Sequence, residues 1–199
     1  MTLELVNTFG TLGTFIVIAA TAIVAIVQLR HMRGSNQITA LNELRETMET
    51  PDFQAASHFV GTELPAKLRD PAFRYQMVHR LARTDENRPL ITRINSVGNL
   101  YEGMGLLVKT GFVEKDLVMG IWSANVTNDW GNLVPITAMA RRSAGDAMVW
   151  ENFEYLAVLA QDWAAVHPKG TYPAGVRRLA LKDEWLEADR QYAASLATA

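Results

Sequence analysis

Between Glu4 and Arg30 the chain carries no Lys, Arg, Asp or Glu, so residues 5–29 form an uncharged run of 25 residues. A helix needs about 20 mostly apolar residues to cross roughly 30 Å of hydrocarbon. The stretch Phe9 to Leu29, FGTLGTFIVIAATAIVAIVQL, meets that requirement. Its threonines can hydrogen-bond back to the helix backbone, so they do not spoil a span. Ala20-Thr21-Ala22 has the small residues of a cleavage site, but no Lys or Arg precedes the run and apolar residues continue past it. A cleaved signal peptide has a basic start and a shorter apolar core. Residues 1–33 therefore read as a transmembrane anchor.

Flanking charge gives the anchor a direction. Glu4 lies on the short side, whereas Arg30, His31 and Arg33 open the other. Positive residues stay on the cytoplasmic side. The expectation is a single-pass protein of the bacterial inner (cytoplasmic) membrane, with its N-terminus outside and residues 34–199 in the cytoplasm. Arg30, His31 and Arg33 are expected at the membrane interface, with residues 9–29 in contact with the bilayer. The lack of cysteine agrees with a reducing compartment.

Residues 34–199 fit one domain of near-balanced charge. Residues 34–93 hold 8 acids and 8 bases, and residues 94–199 hold 12 acids and 9 bases. No basic stripe of the kind a nucleic-acid footprint needs is present, which disfavours nucleic acid as a partner. Apolar residues recur at helical rather than alternating spacing, and Pro and Gly fall between the periodic segments. The predicted fold class is all-α: one N-terminal transmembrane helix, then an irregular cytoplasmic domain of about six to eight helices.

The first soluble helix is predicted over Asn36–Glu49, capped by Ser35 or Asn36, with Ile38, Leu41, Leu44 and Met48 inward. Only Gly34 separates it from the span, so the two are expected to form one kinked rod. Further helices are expected over Asp52–Gly61, Ala72–Arg83 after Asp70-Pro71, and Pro89–Thr110 with Gly111 as its stop. The next begins near Glu114 and fades near Asn128-Asp129, followed by Pro135–Arg142. Asp146–Val166 is long and amphipathic. A last helix is placed over about Leu181–Leu196 with Trp185, Leu186 and Tyr192 on its buried side. The five tryptophans, Trp122, Trp130, Trp150, Trp163 and Trp185, read as core fillers.

The machinery of common enzymes is missing. The sequence has no Cys, no nucleophile elbow, no P-loop and no Gly-rich dinucleotide motif. His31, His58, His79 and His167 stand apart, without metal-ligand spacing. No metal, no cofactor and no catalytic residue is expected.

One cluster of polar residues invites a role. Asn95, Asn99 and Glu102 lie at i, i+4 and i+7 and so share a helix face, with Lys109 continuing it. Gly98, Gly103 and Gly105 lie in the same helix, where each glycine costs about 1 kcal/mol against alanine. Close approach by another helix would account for them. Two readings of the cluster stay open. In one, Glu102 is a structural carboxylate paired with Arg141 or Arg142 in a tightly packed centre. In the other, Asn95, Asn99, Glu102, Asp129 and an arginine line a polar pocket for a small ligand.

The order of features resembles a bacterial family of membrane-anchored domains of unknown function. The likeness rests on Ile26-Val27-Gln28-Leu29-Arg30-His31-Met32-Arg33 and the following Ser35-Asn36-Gln37. It continues through Asn99-Leu100-Tyr101-Glu102-Gly103-Met104-Gly105-Leu106-Leu107-Val108-Lys109-Thr110-Gly111, and ends with Trp130, Leu133, Pro135 and Arg141 or Arg142. It covers most of residues 20–145. Tyr101 and Met104 stand where other apolar residues are expected. The resemblance implies an anchored helical fold and carries no activity across.

The functional expectation is a non-catalytic accessory or scaffold subunit that docks on a larger membrane complex, its partner being another membrane protein or itself. The alternative is a membrane-tethered sensor or small-ligand-binding module with its pocket near Glu102.

Overall fold

A computed structural model describes the backbone of residues 3–197 and the side chains of residues 11–196. Glu4, Phe9 and Gly10, which the charge and span arguments use, have side chains outside the described residues. Among the described residues the fold is all-α, with eight α-helices and no strand. It is one long apolar helix followed by a helical domain, as expected.

The first helix, α1, runs without interruption over Leu3–Glu49. Side chains from Thr11 to Leu29 stand exposed, apart from a half-buried Ala19. The helix is thus long and apolar enough to cross a membrane, and its apolar part is not covered by the rest of the chain. Thr21 donates its hydroxyl to the Val17 carbonyl at 2.8 Å, the back-bonding that lets a threonine sit in a span. Helix α1 continues through Gly34 into the turns packed on the body, so the expected start at Ser35 or Asn36 does not exist. One interior glycine costs about 1 kcal/mol, too little to end a helix with strong flanks on both sides. Gln37, Ala40 and Met48 are buried and Leu41 and Leu44 half-buried. Ile38 is instead 62% exposed, because Gln37 takes the inward register.

Helix α2 (Pro51–Thr62) buries Phe53, Ala56, Phe59 and Val60 and is capped by the Thr50 side chain. A short α3 (Leu64–Lys67) leads to α4 (Pro71–Val78), whose first turn is capped by Asp70 with Pro71 next. The predicted extension to Arg83 becomes a separate turn over residues 80–82, where Leu81 is fully exposed. Helix α5 (Asn87–Lys109) buries Ile94, Val97, Tyr101, Met104 and Val108. It ends at Gly111, φ +68°. The Phe112 N–H donates to Leu107 and the Gly111 N–H to Val108, both at 3.0 Å, the paired bonds of a left-handed helix stop.

Helix α6 is one element over Lys115–Ala144, where two were predicted. Pro135 lies inside it on an exposed face, while Val126, Leu133 and Ile136 are buried. An interior proline costs about 3 kcal/mol through its missing N–H and ring clash. Burial of three large side chains, about 1.5–3 kcal/mol each, exceeds that. Helix α7 (Glu151–Val166) starts five residues later than predicted and packs mainly on α5 and α6.

The chain divides into two compact units, Met1–Pro168 and Lys169–Ala199. The first holds α1 together with the bundle α2–α7, so the long apolar helix and the body that follows it are one unit. In the second, Arg178 stacks over the Tyr172 ring at 4.5 Å and α8 spans Leu186–Ala197. Trp185, Leu186 and Tyr192 are exposed, so the apolar side expected to be buried has the pattern without the burial.

Candidate functional site

Helix α7 begins with a difficulty that α5 resolves. Its N-cap position is Trp150, which has no side-chain oxygen to cap with and sits at φ 53°. The first N–H groups of a helix need acceptors from outside the helix. Glu102, from the middle of α5, supplies them. One carboxylate oxygen accepts from the Asn152 N–H at 3.0 Å and the Phe153 N–H at 2.9 Å; the other accepts from the Asn152 side-chain amide at 2.7 Å. A negative group at that position also meets the positive end of the helix dipole.

The two glycines seven apart make room for this contact. A Cβ on Gly98 would lie inside the Trp150 indole, and one on Gly105 would lie inside the Asn152 carbonyl. The close approach inferred for Gly98 and Gly105 is therefore made by the start of α7. Gly103 differs, since nothing lies within 4 Å of its missing Cβ. It faces open space, because five residues after Gly98 and two before Gly105 it points to the other side of the helix.

The other candidates divide among separate partners. Asn99 accepts from the Trp150 indole N–H at 3.1 Å. Lys109 donates to the Asn152 side-chain oxygen at 3.1 Å and lies 3.5 Å from the Glu151 carboxylate. Asn95 is half-buried on the same helix. Asp129 is buried against a different residue, accepting from the Tyr101 hydroxyl at 2.8 Å. Burial pushes the Asp129 carboxyl up from the ordinary carboxylate range, against the opposing pull of hydrogen bonds from Tyr101 and Asn128. Burial and then the Asp129 charge hold the Tyr101 phenol well above its usual value. Phe153 stacks on Tyr101 with centroids 4.8 Å apart, and Trp130 meets Phe153 edge-on at 5.0 Å.

The expected ion pair of Glu102 with Arg141 or Arg142 is not formed. Arg141 pairs with Glu154 at 2.7 Å and donates to the Val149 carbonyl at 3.0 Å. Its second terminal nitrogen is buried without a hydrogen-bond partner. Arg142 is exposed. Thus Asn99, Glu102 and Arg141 converge on the start of α7, Asp129 belongs to a buried pair with Tyr101, and Arg142 joins neither. Among the described residues no three His, Cys, Asp or Glu side chains come together as a metal site. Trp150, Asn152 and Glu154 were missed in the sequence. Their signal was the stretch Val149-Trp150-Glu151, which lacks a capping residue where α7 starts.

Two surface grooves adjoin α5 or the turn that follows it. A groove of about 390 Å³ lies between α1 and the α5–α6 turn, lined by Leu29, Met32, Arg33, Asn36 and residues 110–112. Across it, Arg33 donates to the Gly111 carbonyl at 2.9 Å. Arg30 and His31 are exposed on the same helix. A second groove of about 570 Å³ lies between α2 and α5, with Asp52, Arg88 and Arg93 on its rim.

A family model described as Domain of unknown function (DUF4760) matches residues 15–163, more than half of the chain. The match begins inside the apolar helix and ends in α7. No curated protein matches the chain, and no solved structure does.

Proposed function

The chain belongs to the family described as Domain of unknown function (DUF4760), and from its own geometry we propose that it is a non-catalytic, membrane-anchored accessory or scaffold subunit that docks on a larger membrane protein complex. The observation that carries the reading is α1. One helix joins an uncovered apolar stretch, Thr11 to Leu29, to turns packed on the body through Gln37, Ala40, Leu44 and Met48. A tether needs only a flexible linker, whereas a continuous helix fixes the height and rotation of what it carries.

Three further features support the reading. The polar groups that would serve a ligand near Glu102 are engaged in holding α7. Helix α6 leaves Leu117 and Ile121 exposed one turn apart, 42% and 58%, apolar surface of the kind a partner covers. Arg30, His31 and Arg33 follow the span, while Glu4 precedes it, which orients residues 34–199 toward the cytoplasm of a bacterial cell under the positive-inside rule.

The test is purification from native membranes in mild detergent, with crosslinking before solubilisation. A stoichiometric complex with another membrane protein is expected, and Ile121→Asp is expected to release it without unfolding the chain. A monomer with no crosslinked partner in native membranes refutes the proposal.

A further inference from the structure

We propose that the α5–α6 turn, with Phe112 at its tip, lies in the lipid headgroup layer and gives the body a second contact with the bilayer beside the anchor. This rests on the reading of α1 as a membrane span.

The placement follows from the groove between α1 and the turn. Leu29 is the last residue of the uncharged run, and it lines the same groove as Phe112. The residues of α1 that flank the groove, Leu29 to Asn36, cover about 10 Å of helix at 1.5 Å per residue. The headgroup layer on one side of a bilayer is about 5–7 Å thick, from a hydrocarbon core of about 30 Å and a total of about 40–45 Å. A turn held level with Leu29–Asn36 therefore lies at that layer if residues 11–29 are in hydrocarbon. The hydrogen bond from Arg33 to the Gly111 carbonyl, 2.9 Å, holds it there.

The chemistry of the groove fits the same environment. Leu29, Met32 and Phe112 supply an apolar side, 61%, 57% and 45% exposed. Arg33, Asn36 and Thr110 supply a polar side. An acyl-chain boundary next to a phosphate presents that combination to a protein surface. After a left-handed helix stop, the residue in Phe112's position commonly packs back on its own helix; here it stays nearly half exposed beside the span. Lys115 follows three residues later, within reach of headgroup phosphates by extension of its side chain. Lipid is favoured over a protein occupant because the groove is continuous with the exposed surface of the span, which lipid covers.

The natural chain has no cysteine, so single cysteines can carry nitroxide labels in the full-length protein. Labels are placed at Phe112→Cys, at Thr110→Cys as a second site in the groove, at Ile18→Cys in the span, and at Ser143→Cys. The last lies at the far end of α6, about 40 Å from the turn by helix rise. The chains are reconstituted in nanodiscs of phosphatidylcholine and phosphatidylglycerol. Collisions with oxygen report lipid and collisions with a water-soluble nickel chelate report water.

Labels at 112 and 110 are expected to lose nickel collisions and gain oxygen collisions relative to 143, at a depth shallower than 18. Arg33→Ala is expected to return part of the nickel collisions at 112. If 112 and 110 match 143 while 18 lies in lipid, the second contact is overturned and the anchor reading stands. If 18 is also open to nickel, the anchor reading has failed and the proposal with it. Spin–spin broadening at 112 that disappears on dilution with unlabelled chain assigns the groove to a second copy and overturns the lipid assignment.

Discussion

Removing the Glu102 carboxylate should release the start of α7. Glu102→Ala takes away the acceptor of two backbone N–H groups and one side-chain amide. A helix cap is worth about 1 kcal/mol, and a hydrogen bond to a charged group about 1.5–3 kcal/mol. The three bonds share one half-buried carboxylate and are not additive, so the expected loss is about 3 kcal/mol rather than their sum. Glu102→Gln keeps one oxygen facing the backbone donors. It removes the charge at the helix dipole, a loss of about 1 kcal/mol. The assay is denaturant unfolding of the detergent-solubilised chain followed by tryptophan emission, with Trp150 as the local reporter. Hydrogen exchange should show the Asn152 and Phe153 amides speeding up before the rest of α7. A cycle of Glu102→Ala with Arg141→Ala should give a coupling of about 1 kcal/mol or less, as for residues that share no bond and meet only through the start of α7. A Glu102→Ala protein as stable as the wild type, with those two amides still protected, would refute the capping role. A coupling of several kcal/mol would restore the Glu102–Arg141 pair as the reading.

The glycines separate by position: Gly105→Ala drives a Cβ into the Asn152 carbonyl and should cost about 3 kcal/mol or more, whereas Gly103→Ala meets open space and should stabilise α5 by about 1 kcal/mol; equal effects at the two sites in the same unfolding assay would contradict the packing. For Asp129, the folded carboxyl is raised above its unfolded value, so its contribution is complete below the ordinary carboxylate range and is lost as pH rises through the raised folded value. Asp129→Asn, which can still accept from Tyr101, should therefore match or exceed the wild type at pH 7 and lose that advantage as pH falls toward 4; an advantage that grows on acidification would contradict the sign.

Periodicity made the helices of the body legible, and the uncharged run made the long apolar helix legible. Boundaries failed where one local signal met a stronger tertiary one. Pro135 looked like a start because proline favours the first turn; Val126, Leu133 and Ile136 on the buried face carry α6 through it. Gly34 looked like a break, yet a Cβ there would meet nothing within 4 Å and α1 passes through it. Asp146 is the predicted first residue of α7 and instead caps only a turn, accepting from the Met148 N–H at 2.9 Å. The polar cluster was legible as a set of residues and misread in its partners. Spacing within α5 puts Asn99 and Glu102 on one face, but nothing in the sequence says that the start of another helix lies over that face. The glycines carried the missing information: a gap of seven at Gly98 and Gly105 marks where a backbone crosses.

The capping role bears on function through what it leaves free. A carboxylate that accepts three hydrogen bonds, an asparagine engaged by an indole and an arginine engaged by Glu154 are poor candidates for capturing a ligand, because binding would first have to break the start of α7. The groups without such duties lie elsewhere: Leu117 and Ile121 on α6, and Phe112 where the turn meets α1. A body whose interior polar groups hold its own helices, and whose unengaged apolar residues lie outside, offers its surface rather than the Glu102 cluster for contact. That is why loss of partner binding with retained folding in Ile121→Asp discriminates more sharply between a docking subunit and a sensor than any change at Glu102, where loss of function and loss of α7 would coincide.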